Sequence, residues 1–230
     1  NTTLARELNE ALNELEQDEE TRVVIIKGKG KAFCAGIDVN EMEGKNTLEH
    51  FKWVELMEKM SLTIAEMGKP VIASVQDMAI ANGTGIVASA DLAVAAEGAR
   101  FGTTAVNVGL FCMGPAVPLS RHVGKKKALE MLLTGDIIDA AEAERIGLIN
   151  KVVPGDKLEE ETMKLAQKIA AKSPLAVQLG KQSFYKMCDL EYEKAFELVN
   201  NHFAVLCSTE DASEGVNAFL EKRKPRWKMK

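Results

Sequence analysis

Two short stretches carry the reading of this chain: Lys31-Ala-Phe-Cys-Ala-Gly-Ile-Asp-Val39 and Ile80-Ala-Asn-Gly-Thr-Gly85. Each is a glycine-bearing loop that follows a β-branched run, Arg22-Val-Val-Ile-Ile-Lys27 and Val71-Ile-Ala-Ser-Val75 respectively, and such runs read as buried strands. Glycine lets a backbone come close to a ligand and adopt angles that a Cβ forbids. The second loop opens onto Gly83–Ala90, small and apolar enough to be buried all round. A helix start there offers unpaired N–H donors and a partial positive charge. Two such loops meeting at one point would supply a pair of donors to a developing oxyanion. That suits a thioester, because removing the α-proton or adding at the β-carbon pushes charge onto the carbonyl oxygen. One donor is worth roughly 3–4 kcal/mol of transition-state stabilisation.

Outward from these loops the chain alternates strands and helices, then turns helical. Leu4, Leu8, Leu12 and Leu15 stand at helical spacing behind Thr2 and Thr3, which can cap. Phe51, Val54, Met57, Met60, Ile64 and Met67 make a second helical stripe from Leu48 to Met67, ended by Gly68 and Pro70. Gln76–Asn82 reads as loop and Leu92–Ala96 as a third strand. Pro115 suits a first helical position, Gly124 and Gly135 suit stops, and Asp139 with Glu142 forms a start signal. A last strand over Leu148–Val153 is closed by Pro154-Gly155. Three helices follow over 156–222, the middle one behind Ser173-Pro174. The pattern predicts an α/β core over residues 1–155 and a helical C-terminal region over 156–230.

Composition narrows the partners. The 230 residues are 46% hydrophobic and 27% charged, enough for one sizeable core. A net charge of -5 offers no broad basic face, so neither nucleic acid nor anionic lipid is expected. No run approaches the ~18 apolar residues of a membrane span. The four cysteines are scattered, and His50, His122 and His202 stand alone. Hence no metal site or disulfide frame is expected, and a reducing cytoplasm is. The chain begins at Asn1 without Met and without a signal peptide, so residues are expected upstream.

At this point the motifs support a family resemblance. Lys31–Val39 resembles the first oxyanion loop of the enoyl-CoA hydratase/isomerase (crotonase) family, normally x-A-F-x-A-G-x-D-[LIV]. Lys69–Val75 is similar to the strand before the second loop, and Thr134–Ala143 with Gly147–Pro154 to a long family stretch. Phe219-Leu-Glu-Lys-Arg-Lys-Pro225 is similar to the family's end. The matches run in order along almost the whole chain; the family's opening hairpin and its R-P-x-x-x-N-A-L turn have no counterpart beyond Asn1. Val106–Cys112 resembles the divergent enoyl-CoA hydratase domain-containing branch.

The resemblance implies a ββα spiral core with a helical trimerisation region, assembled as a homotrimer or as a dimer of trimers. It implies an acyl-CoA ligand, no further cofactor, and a place in fatty-acid metabolism. The oxyanion N–H groups fall at Ile37 and Asn82, the latter where the family usually has glycine; Asn tolerates unusual backbone angles. The CoA moiety lies along the first loop in this family, so Ala35, Ile37, Asp38 and Val39 are candidate contacts, with Gly36 and Gly83 also counted as substrate-binding. Phe219 and Lys222 match residues that reach CoA, usually from a neighbouring subunit. A lysine there suits phosphate as a point charge.

The two glutamates of family hydratases fall at Gly85 and Ala105. Neither residue is an acid or a base, so two-glutamate hydration is not expected. Asp77, Thr104, Asn107 and Cys112 are the nearby polar residues, and none stands out as a base. Asp77, where the family more often has glycine, is carried as a speculative one beside its favoured reading as an Asx turn. The bland readings elsewhere are a solvated face for Lys222 and a structural role for Asp91. The chain is therefore read as a lyase, isomerase or thioesterase of crotonase type. The alternative is a catalytically weak acyl-CoA-binding or regulatory protein. A dinucleotide fingerprint at Gly83–Ala88 is a remote third reading, disfavoured because Gln76–Asn82 separates it from a strand.

Overall fold

The computed structural model describes residues 1–230 and builds two sheets among ten helices. The main sheet is parallel and holds β1 (Val24–Lys27), β2 (Val71–Val75), β4 (Leu92–Ala96) and β7 (Lys151–Val153), in the order β1-β2-β4-β7. β2 is buried at all five positions, Ser74 among them, as befits a central parallel strand. The second sheet holds β3 (Met78–Ile80), β5 (Arg100–Gly102) and β6 (Ile137–Asp139), with β3 parallel and β6 antiparallel to β5. The sequence reading missed this sheet and took residues 76–82 for loop. Strands of three residues carry no usable periodicity.

Helices α1 (Thr2–Gln17), α2 (Thr47–Glu66) and α3 (Asn82–Ser89) cover the core. α1 is capped by the side chain of Asn1, not by either threonine; it buries Ala5, Asn9 and Leu12 while Leu4 is exposed. In α2 the buried stripe is Trp53, Met57, Met60 and Ile64. Phe51 is exposed, so the expected stripe is shifted at its start. Trp53 is drawn inward because its indole N–H donates to Glu41. α3 is buried from Gly83 to Ser89, as its composition predicts.

α4 (Met113–His122) holds Pro115 as its third residue rather than its first, and α5 (Lys125–Thr134) starts at Gly124, which serves as its N-cap. Gly135 ends α5 in the left-handed conformation, and Asp139 caps α6 (Ala140–Arg145) as read. Four helices, not three, close the chain: α7 (Leu158–Ala170), α8 (Pro174–Met187), α9 (Tyr192–Cys207) and α10 (Glu210–Leu220). α7 lies on the main sheet, with Leu158 packed beside Val94, Ala96 and Val153, and Ser74 hydrogen-bonded to Thr162. α9 buries no residue, and Tyr192, Phe196 and Phe203 are exposed along it. No helix is long and apolar enough to cross a membrane.

Candidate active site

The two glycine loops meet. Cys34 pairs with Ala79 in an isolated bridge, its carbonyl accepts from Ile80 N–H at 2.8 Å, and the N–H groups of Phe33 and Cys34 both donate to Met78 O. Gln76 holds the first loop from the side, donating from Nε2 to the carbonyls of Gly28, Gly30 and Ala32. Gly83 is fixed by space: a Cβ there would stand 2.0 Å from Cys34 O. Gly36 is fixed by conformation, with φ +102° and its missing Cβ directed at Ala81 and the Asn82 nitrogen.

These contacts bring Ile37 and Asn82 onto the lining of one cavity. Ile37 N–H has no acceptor within the chain, and Asn82, as the first residue of α3, has no intrahelical one. Asn82 itself is helical. The unusual backbone falls one residue earlier, on Ala81, at φ 51° and ψ -115°. A non-glycine residue held there is strained, and that strain turns the chain sharply enough to present the helix start to the cavity.

The cavity measures about 310 Å³ and is mostly apolar, with Ala35, Ile37, Val39, Trp53, Val54 and Met57 along one side and Leu110, Phe111, Met113 and Pro115 along the other. Thr104, Ala105 and Cys112 also line it. Burial pushes the Cys112 thiol up, and Glu58 nearby adds to this, so the sulfur is a protonated, weak nucleophile. Gly85 is not an open position, because a Cβ there would meet Pro115 at 3.0 Å.

Other expected residues lie outside this lining. Asp77 sits in the bend between β2 and β3, away from the cavity wall, and Asn107 packs against Gly135. Asp38 caps the short helix at Val39–Met42 by accepting from Asn40. Phe219 and Lys222 stand exposed at the end of α10, with Lys222 at φ 55°. Asp91 is structural: it accepts from Val71 N–H and Tyr185 OH and pairs with Lys181 at 2.8 Å. No group of three or more His, Cys, Asp or Glu side chains is placed to hold a metal.

The carboxylate that does line the cavity is Glu58, which sequence reasoning missed. It lies half-buried on α2 and accepts from Asn82 Nδ2 at 2.9 Å. Its carboxyl rests on the Gly114 α-carbon so closely that a Cβ there would come within 1.9 Å. Burial pushes its pKa up and the Asn82 hydrogen bond pulls it partly back. The dinucleotide reading loses its room as well as its context. A strand, β3, does precede the glycines, but Gly83 and Gly85 face Cys34 and Pro115 of the chain itself.

A family model described as enoyl-CoA hydratase/isomerase matches residues 1–230. Enoyl-CoA hydratase domain-containing protein 3, mitochondrial, of Homo sapiens is 43% identical over 207 residues, 90% of this chain and 68% of that protein. The short-chain-enoyl-CoA hydratase of Clostridium acetobutylicum is 38% identical over 228 residues, 97% of this chain and 87% of that protein. The crystal structure of human enoyl-CoA hydratase domain-containing protein 3 superposes with a TM-score of 0.95 at 40% identity, covering 98% of this chain and 90% of that one.

Proposed function

The chain belongs to the enoyl-CoA hydratase/isomerase (crotonase) family, in its enoyl-CoA hydratase domain-containing branch, and on that premise we propose that it seats an acyl-CoA thioester with the carbonyl oxygen between Ile37 N–H and Asn82 N–H. The observation that carries this is the meeting of two unspent backbone donors at the wall of an apolar cavity. Donors fixed in advance in a water-poor site cost no reorganisation when charge develops. Ala35 and Val39 line the cavity as CoA contacts, while Gly36 and Gly83 let the two loops approach each other. The CoA thioester is the substrate or ligand, and no resident cofactor is invoked.

Activity as a lyase or isomerase is the reading we favour. The second reading, a weak binder, is supported by the residues Gly85 and Ala105, which stand where the resemblance puts the family's two glutamates. Glutamates introduced at both are expected to give no crotonyl-CoA hydration while Pro115 fills the space beside residue 85. The exposed apolar residues of α9 and of α10, Phe219 and Leu220 among them, support a homotrimer or a dimer of trimers that carries Phe219 and Lys222 toward a neighbour's CoA. The four cysteines are free, which suits a reducing compartment. The vertebrate relatives are named mitochondrial, and we propose the cytoplasm or such an organelle interior.

Calorimetry with butanoyl-CoA and with free CoA tests the proposal. The thioester is expected to bind, and Gly36→Val to abolish binding. Equal affinity of parent and variant would sink the site.

A further inference from the structure

We infer that Glu58 is the proton-transfer group of this cavity, making the chain a single-carboxylate enolising protein suited to α-proton exchange and double-bond migration in enoyl-CoA thioesters. The inference rests on the acyl-CoA reading above and deepens it.

Glu58 is the one carboxylate on the lining. Its partner Asn82 places it: Nδ2 of the residue whose backbone N–H is the proposed oxyanion donor holds the carboxylate at 2.9 Å. One residue therefore ties charge stabilisation to proton removal, the two needs of an enolising site. Gly114 supplies the room, since any side chain at that point would occupy the carboxyl's own position. The approach comes from α2 rather than from positions 85 and 105.

The chemistry balances with one carboxylate. Glu58 takes a proton from the thioester α-carbon; the C–H pair forms the enolate C=C, and the carbonyl pair moves to oxygen, facing the Ile37 and Asn82 donors. The carboxylic acid then returns a proton. Return to the α-carbon gives exchange, and return to the γ-carbon of a 3-enoyl thioester gives the 2-enoyl isomer. Hydration needs a second group to activate water, and no other carboxylate or histidine lines the cavity.

The surroundings leave Glu58 ionising on its own. Cys112 is the only other titratable group on the lining, and burial pushes its thiol up. α3 carries no titratable side chain, Arg121 and His122 lie two turns along α4, and Glu55 and Lys59 of α2 are exposed. Asp38 of the first loop is engaged by Asn40.

The test is deuterium uptake by butanoyl-CoA, and isomerisation of 3-hexenoyl-CoA, in D₂O, read by mass spectrometry beside calorimetric binding. The parent is expected to exchange and isomerise, with rate rising with pH along a limb above the ordinary carboxylate range. Glu58→Gln should lower both rates by about 100-fold or more and keep binding, with Glu58→Asp recovering part of the rate. Parent-like exchange in Glu58→Gln would overturn the assignment, as would a parent that binds thioester without exchange or isomerisation; in those cases the acyl-CoA reading stands. A parent that binds no acyl-CoA overturns both.

Discussion

The two walls of the cavity are built on opposite plans. On the glycine-loop side the proposed chemistry belongs to the backbone: Ile37 and Asn82 carry N–H groups that are unspent within the chain, and Gly36 and Gly83 let the two loops pack together. On the α2 side it comes from one side chain, Glu58, carried on a helix whose neighbouring carboxylates face solvent. The backbone wall is rigid because every shift in it is met by another stretch of main chain. The side-chain wall is adjustable, since Glu58 has rotamers and its hydrogen bond partner is a single amide. Disturbing the first should cost the fold; disturbing the second should cost turnover alone.

The sharpest test of that contrast is Gly83→Val. The added Cβ meets a backbone oxygen, Cys34 O, at 2.0 Å, so neither loop can yield cheaply. A loss of about 3 kcal/mol or more is expected, with a Tm fall of roughly 6–12 °C and no acyl-CoA binding; parent-like melting would show the backbone wall to be soft. Gly114→Ala is its counterpart. There the new Cβ meets the flexible end of Glu58, so proton exchange should fall about tenfold or more while Tm stays within roughly 2 °C, given that surface-like changes stay within about 0.5 kcal/mol. Unchanged exchange would mean that Glu58 works from another position.

Smaller effects refine the side-chain wall. Asn82→Ala removes the hydrogen bond that lowers the Glu58 pKa and leaves the backbone N–H. The acid limb of the exchange profile should therefore move to higher pH; a shift the other way would deny Asn82 this role. The smallest effect is on stability. Because burial raises Glu58 in the folded state, its contribution is fully present below the ordinary carboxylate value and is lost as pH rises through the raised one. Glu58→Gln should then melt slightly above the parent near neutral pH, by less than about 1 kcal/mol, and the gap should close in acid. A gap that widened in acid would reverse the sign of the shift.

The same contrast explains what was legible in advance. The glycine loops announce themselves because a residue without Cβ has few other uses between a buried strand and a buried helix. Glu58 does not, because α2 also carries Glu49, Glu55 and Glu66, and only the packing of α3 and α4 distinguishes one of them. Asp77 is a speculative base in the sequence because it lies near the motif, but the bend between β2 and β3 carries it off the cavity wall. The second sheet was invisible for a related reason: β3, β5 and β6 are three residues each and are held by one another.

By itself the sequence determined the family, the alternation of strands and helices, and the two glycine-bearing loops, with Gly85 and Ala105 at the positions where the resemblance expects glutamates. These are local properties, set by propensity, glycine placement and residue identity. Tertiary structure alone decided that Ala81 rather than Asn82 takes the strained turn, that Pro115 fills the space beside Gly85, and that Glu58 reaches the cavity over Gly114. Each of these depends on which surfaces meet, and residues 58, 82 and 114 become neighbours only when three helices pack.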